Sequence, residues 1–255
     1  VTSVPASDPL QDYRSLWERK PVLRVVYDDF YDRIAAACRQ GVTIEIGGGI
    51  GNLKRRLTQV VATDIQSAPW LDCVADAQRL PFADAAAANI VMVDVLHHLE
   101  FPVAFFREAA RVLRPGGRVV MVEPAITWGS TLFYRLFHHE PVRTAADILM
   151  DGSPDSRRDP YASNQAVPTL LATRDRDRFH RLFPALRIER VEWFSLAAYP
   201  LSGGFKPWSL IGAGLARRLL RIERAVEPVL GRLAAFRMLL IVEKAVGGRT
   251  LRRIP

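Results

Sequence analysis

With 255 residues, 49% hydrophobic and 24% charged, the chain can bury one sizeable core, so one domain carrying insertions is expected. Cys38 and Cys73 have neither metal-ligand nor framework spacing, which argues against a disulfide scaffold and for buried thiols in a reducing compartment. The net charge of +8 is uneven, since residues 1–125 carry 14 basic and 15 acidic side chains and residues 126–255 carry 21 and 12.

No apolar run reaches bilayer-spanning length, and the first residues lack a basic-then-apolar secretory pattern, so a cytoplasmic protein is expected. Residues 1–20 read as polar, with Tyr13, Leu16 and Trp17 as anchors. Residues 28–38 read as a helix, with Tyr27, Phe30, Ile34 and Cys38 on one apolar face and Gly41 ending it. The stretch from Val42 to Asn52 then reads as strand, tight glycine turn and helix start, a nucleotide-binding corner. Its spacing does not complete G-x-G-x-x-G, because Asn52 stands where the third glycine should be in the frame from Gly47, and Lys54 in the frame from Gly49. The frame that fits is acidic-x-G-x-G-x-G, from Glu45 to Gly51.

Residues 52–57 begin a helix, and residues 60–63 form a second strand ending at Asp64, where a carboxylate can accept two hydrogen bonds from ribose hydroxyls. Residues 71–75 make a short third strand before Asp76 and Ala77. Residues 89–95 form a fourth strand whose nearly continuous apolar run suits an interior parallel position. Leu96, His97, His98 and Leu99 follow at the carboxyl end, where doubly wound sheets hold ligands. An amphipathic helix over 103–113 stops before Pro115, and residues 118–123 make a fifth strand. The alternation predicts a parallel sheet with right-handed crossovers.

Five motifs in register carry a resemblance over roughly residues 40–125. They are the Glu45 to Gly51 loop, Val60-Val61-Ala62-Thr63-Asp64, Ala75-Asp76-Ala77 with Leu80-Pro81-Phe82, Asp94-Val95-Leu96-His97-His98-Leu99, and Arg111-Val112-Leu113-Arg114-Pro115-Gly116-Gly117. In these the chain resembles the class I S-adenosylmethionine-dependent methyltransferases, particularly the small-molecule group labelled type 11. The resemblance implies an α/β fold, a Rossmann-like seven-stranded mostly parallel sheet with insertions after strands 5 and 6. Residues 1–40 would form an N-terminal helical cap and 41–255 the methyltransferase domain, with substrate-facing insertions at about 126–184 and 196–234.

The implied cofactor is S-adenosyl-L-methionine, with S-adenosyl-L-homocysteine as product. Its binding positions would be Glu45, Gly47, Gly48, Gly49, Gly51, Asp64, Ile65, Asp76, Ala77, Asp94 and Leu96. Asp76 would pair with the adenine amino group and the Ala77 N–H with a ring nitrogen, while Leu80 and Phe82 could wall the ring or be ordinary core. Tyr13, Trp17, Tyr27 or Tyr31 could contact the cofactor or simply pack on the sheet.

The implied activity is methyl transfer to a small-molecule or lipid-like acceptor. Histidine is the natural base near neutral pH, which directs attention to His98 at the strand end and to His138 and His139, closing a helix expected over 128–139. Each also has a plain reading, a structural hydrogen bond for His98 and an exposed helix end for the other two. His180 reads as surface, and Glu123 is a further polar candidate. A metal is not expected, since adjacent histidines rarely chelate together and no carboxylate-cysteine pattern accompanies them.

Three other functions match part of the pattern. A nicotinamide-dependent oxidoreductase lacks its glycine fingerprint. A nucleic-acid methyltransferase would suit the basic balance, but Asp94-Val95-Leu96-His97 replaces the Asn/Asp-Pro-Pro-aromatic strand end, so nucleic acid is disfavoured. A non-catalytic cofactor-binding or membrane-associated protein of the same fold stays open.

Beyond Pro124 the expected elements are a helix over 169–182, strands over 186–194 and 236–243, and a basic amphipathic stretch over 208–224. In that stretch Leu215, Leu219 and Ile222 share one face beside Arg217, Arg218, Arg221 and Arg224. It reads either as a substrate-covering helix packed on its own domain or as peripheral contact with an anionic membrane at its inner face. Nothing in the sequence sets the oligomeric state.

Overall fold

The computed structural model describes residues 8–137, 141–152, 157–159 and 161–246. α1 (Pro9–Arg19) is capped by Asp8, whose Oδ1 accepts from the Leu10 N–H at 3.0 Å. α2 (Pro21–Ala37) starts earlier than its aromatic spacing indicated, because Val22, Leu23 and Val26 continue the same buried face. Strands β1 (Thr43–Ile46), β2 (Val60–Asp64), β3 (Cys73–Val74) and β4 (Ala87–Val93) follow. α3 (Pro102–Val112) leads into β5 (Leu113–Pro124). The first long insertion holds α4 (Trp128–Phe137), α5 (Val167–Ala172) and α6 (Arg176–Leu182). After β6 (Leu186–Phe194) the second holds α7 (Ala198–Ser202) and α8 (Ala213–Ala234), and β7 (Arg237–Lys244) completes the sheet.

The seven strands lie in the order β3-β2-β1-β4-β5-β7-β6. Pairings from β3 through β5 are parallel, and β7 runs antiparallel to both of its neighbours. Alternate residues of β4 and β7 enter two apolar layers, so both faces of the central sheet are covered. Ile90, Met92, Leu240 and Val242 pack with α3, α5 and α6, whereas Val91, Leu239 and Ile241 pack with α2, α7 and α8.

Further elements differ from their sequence expectations, as β5 does in starting at Leu113 rather than at 118. The turn after the glycines is one 3-10 turn, Asn52–Arg55, because Gly51 enters it left-handed and Gln59 must also take a positive φ to reach β2. The third strand contracts to two residues, pairing only with β2 at the sheet edge. The helix expected over 169–182 divides into α5 and α6. Arg174 leaves the helical path to donate to the carbonyls of Thr144 and Ala146 at 2.7 and 2.6 Å. Residues 208–212 stay outside α8, which begins after Gly212. Cys38 and Cys73 are half-buried and unbridged, and burial pushes the Cys38 thiol up to about 12, well away from a reactive thiolate.

Candidate active site

The carboxyl ends of β1, β2, β4 and β5 open onto a cavity of about 490 Å³. Its first wall is the glycine turn. Gly47 has φ +65°, and a Cβ added there would overlap Val95 Cγ2, so only glycine lets the chain leave β1 in this direction. The turn is held by the Gly48 N–H on Thr63 O at 2.7 Å and by Trp70 Nε1–H on Gly49 O at 2.7 Å. Asp64, at the end of β2, is buried and accepts from the Gly49 and Gln66 N–H groups, both at 3.0 Å. Those bonds use one lone pair on each oxygen and aim the carboxylate along the cavity rim.

Glu45, on β1, is buried as well. Its Oε2 is buried with no hydrogen-bond partner, and burial, partly offset by Lys54, pushes the carboxyl up to about 8. A buried acceptor beside an open glycine rim and a rim carboxylate fits a nucleoside ligand that carries donor groups.

The opposite wall is assembled from distant parts of the chain. Glu123, fully buried at the end of β5, accepts from the Val95 and Leu96 N–H groups through Oε1 at 2.9 and 2.7 Å. Its Oε2 meets His97 Nδ1 at 2.6 Å. The His97 and His98 rings lie 4.2 Å apart, and both line the cavity. The first insertion folds back over this strand end, with Asn164 N–H on His97 O at 2.8 Å and Arg158 on His98 O at 2.7 Å.

Asp94 takes φ +59°, uncommon for a residue with a side chain, and forms an ion pair with the buried Arg237 of β7. Arg237 also donates to Tyr199 Oη and lies 4.0 Å over that ring, and Tyr27 Oη reaches Asp94 Oδ2 at 3.4 Å. Desolvation, helped by Asp94, raises the Tyr27 phenol well above its usual value, so it stays protonated. Phe133, Phe205 and Phe236 make the remaining wall apolar.

Of the positions anticipated from sequence, Glu45, Gly47, Gly48, Gly49, Asp64, Ile65, Asp94 and His98 line this cavity, as do Tyr13, Tyr27 and Tyr31. Gly51 instead backs onto Trp70, and Leu96 is wholly buried in the core. Asp76 turns its carboxylate onto the Gln78 N–H at 2.8 Å and Ala77 enters the core, so neither lines the cavity. Leu80 and Phe82 belong to the core as well, and Trp17 packs on Tyr27. His180 is half-buried, its Nε2 accepting from the Ile188 N–H at 3.1 Å, and takes no part. His138 and His139 lie outside the described residues. Among the described residues no three His, Cys, Asp or Glu side chains gather as metal ligands.

Arg237, Tyr199, Tyr161 and Gln165 were not anticipated. The one sequence signal for Arg237 is a cation opening the apolar run of β7. A larger, more open depression of about 800 Å³ lies between α2, α8 and β6. Within it Arg33 pairs with Glu227 at 2.8 Å, and its sheet wall is Glu189 and residues 191–193 of β6.

The loop 203–208 roofs the cavity and is pinned by one side chain. Lys20 Nζ donates to the carbonyls of Gly204, Lys206 and Trp208 at 2.7, 2.7 and 2.8 Å. Lys20→Met should leave three carbonyls short of a donor and destabilise the fold by on the order of 3 kcal/mol. Hydrogen exchange should localise the loss to residues 203–208, and unchanged protection there would show that the pin is dispensable.

The methyltransferase domain family profile matches residues 44–121, from β1 into β5. A demethylmenaquinone methyltransferase of Streptomyces griseus is 30% identical over 139 residues, 53% of this chain and 55% of that protein. A 27-O-demethylrifamycin SV methyltransferase of Amycolatopsis mediterranei is 45% identical over 47 residues, 18% of this chain and 17% of that protein. The chain thus spans about half the length of the first relative and much less of the second. Among solved structures, a S-adenosylmethionine-dependent methyltransferase of Thermotoga maritima aligns with a TM-score of 0.55 at 16% identity, over 89% of this chain and 93% of that one, a likeness of fold. The matched segment carries the glycine wall, the rim carboxylate and the histidine-bearing strand end, and in it the chain is similar to the class I S-adenosylmethionine-dependent methyltransferases, whose fold it shares.

Proposed function

We propose that this protein transfers a methyl group from S-adenosylmethionine to a small, lipophilic acceptor. The observation that carries this reading is the single cavity running from the Gly47 to Gly49 rim and Asp64 to an aromatic wall beside His97 and His98. The names of the Streptomyces and Amycolatopsis relatives, a demethylmenaquinone and a demethylrifamycin methyltransferase, support a lipophilic ring system as acceptor class.

When bound, the donor supplies a methyl group already made electrophilic by its sulfonium. The chain's own residues then have three tasks. Glu45, Asp64 and the glycine backbone hold the donor. The phenylalanine wall excludes water and orients the acceptor, an effect that can supply on the order of 7–11 kcal/mol. A hydroxyl acceptor must also lose a proton. With His97 Nδ1 engaged by Glu123, that proton falls to His97 Nε2, and the buried carboxylate stabilises the imidazolium that forms. His98, stacked on His97, shapes the acceptor end.

Titration calorimetry with S-adenosylhomocysteine and with NAD tests the donor. Wild type should bind the first and not the second with comparable affinity. Asp64→Ala should lose roughly 1.5–3 kcal/mol for each charge-assisted hydrogen bond removed. In the ligand-free protein the Glu45 carboxyl, at about 8, holds its proton at neutral pH. An ammonium group of the donor held at Glu45 would lower that value, so binding below pH 8 should release a proton, seen as a dependence of the heat on buffer ionisation enthalpy that Glu45→Gln removes. Tight NAD binding with no response to S-adenosylhomocysteine would overturn the reading. A screen of quinol, phenol and amine acceptors with labelled donor then names the acceptor class.

A further inference from the structure

α8 has two apolar faces of opposite fate. Ala216, Leu220, Glu223 and Gly231 are buried against the body of the protein. More than a third of a turn away, Leu215, Ile222, Val229 and Leu233 follow one another along an exposed stripe. The stripe continues at both ends. Leu210, 72% exposed, precedes the helix, and Trp128, 88% exposed, stands on α4 where Gly129 abuts Ala234. Single exposed apolar residues are ordinary, but four in line along one 22-residue helix, with one more exposed near each of its ends, amount to a surface with a partner.

The charge of that surface identifies the partner. Arg218, Arg221 and Arg232 are exposed along one flank of the stripe, and no described carboxylate pairs with them. Both acids of the helix turn inward. Glu223 accepts from the N–H groups of Leu196, Ala197 and Ala198, and Glu227 binds Arg33 and the Ser195 N–H. The outer face is therefore apolar with a purely basic margin, the pattern of a helix lying in the interface of an anionic bilayer. No described helix is long and apolar enough to cross a membrane. A second copy of the chain fits the surface less well, because with both helix acids turned inward neither copy's α8 offers an acid to the other's basic margin.

We propose that α8, with Trp128 and Leu210, seats this protein on an anionic lipid surface with the helix in the membrane plane. The placement deepens the proposed activity and rests on it only for its purpose. Trp208, two residues before Leu210, and Phe133, on α4, both line the cavity, so a lipophilic acceptor dissolved in the bilayer would enter at the seated face.

Flotation with phosphatidylcholine vesicles, with and without phosphatidylglycerol, at low and physiological salt tests the proposal. Wild type should float with the anionic vesicles and do so less at higher salt. Arg218→Gln, Arg221→Gln and Arg232→Gln together should weaken partitioning about a hundredfold, at roughly fivefold per basic residue. Ile222→Asn with Val229→Asn should weaken it comparably while leaving thermal melting unchanged, because both side chains are already exposed. Wild type that fails to float with anionic vesicles at low salt would overturn the proposal. So would a dimer, measured by sedimentation, that the Ile222→Asn and Val229→Asn pair dissociates. S-adenosylhomocysteine binding by the same variants, expected unchanged, separates failure of the membrane surface from failure of the methyltransferase reading.

Discussion

Gly47→Ala is expected to destabilise the protein by about 2–5 kcal/mol and to abolish measurable S-adenosylhomocysteine binding. Two costs add. A left-handed backbone at φ +65° costs an alanine about 1–2 kcal/mol. The new methyl also displaces Val95 Cγ2, an overpacking that typically costs about 1–3 kcal/mol. A second substitution separates them, since Val95→Ala removes the steric partner and leaves the backbone term. The double variant should recover part of the stability lost in urea denaturation. If the single variant unfolds at the wild-type midpoint, the turn does not require glycine and the cavity's first wall is not built as described.

The second large effect concerns the proton. Once an acceptor is identified, His97→Ala should slow methyl transfer by about 10²–10⁴-fold with S-adenosylhomocysteine affinity nearly unchanged. Glu123→Gln keeps an acceptor for the Val95 and Leu96 N–H groups but removes the charge beside His97. It should therefore slow the reaction less than His97→Ala and lower the pH at which the base titrates, because the imidazolium loses its counter-charge. His98→Ala should change acceptor KM more than kcat. A large kcat loss in His98→Ala, with wild-type rates and pH profile in His97→Ala, would transfer the base to His98. Unchanged rates in both would leave positioning as the whole of catalysis, as expected for an acceptor already nucleophilic at neutral pH.

The parallel half of the sheet was legible because its signals are local. Val60 to Asp64 and Asn89 to Val93 announce strands by continuous apolar runs, and glycine spacing marks the turn between β1 and the ligand. Glu45, Asp64 and His98 follow because strand ends in this topology share one rim. The other wall was not legible, because Arg237, Tyr199 and Lys20 act over long separations. Arg237 reads locally as a solvated cap of an apolar strand. It becomes a buried partner of Asp94 only because β7 enters the sheet next to β5. The same locality misled at residues 169–182, where helical spacing persists but Arg174 has better acceptors outside the helix.

The position of β7 has a consequence for how the molecule is made. β7 follows β6 in the chain yet lies between β5 and β6, so a nascent chain that has emerged only through residue 236 holds a sheet ending at β5 and a β6 with no strand to pair with. Both would present unpaired backbone edges to other molecules until eight more residues leave the ribosome. Insertion of β7 then closes two antiparallel ladders at once and brings Arg237 to Asp94. Completion of the fold and completion of the cavity are thus one late event, and a chain cut before β7 should aggregate rather than persist as a smaller folded unit.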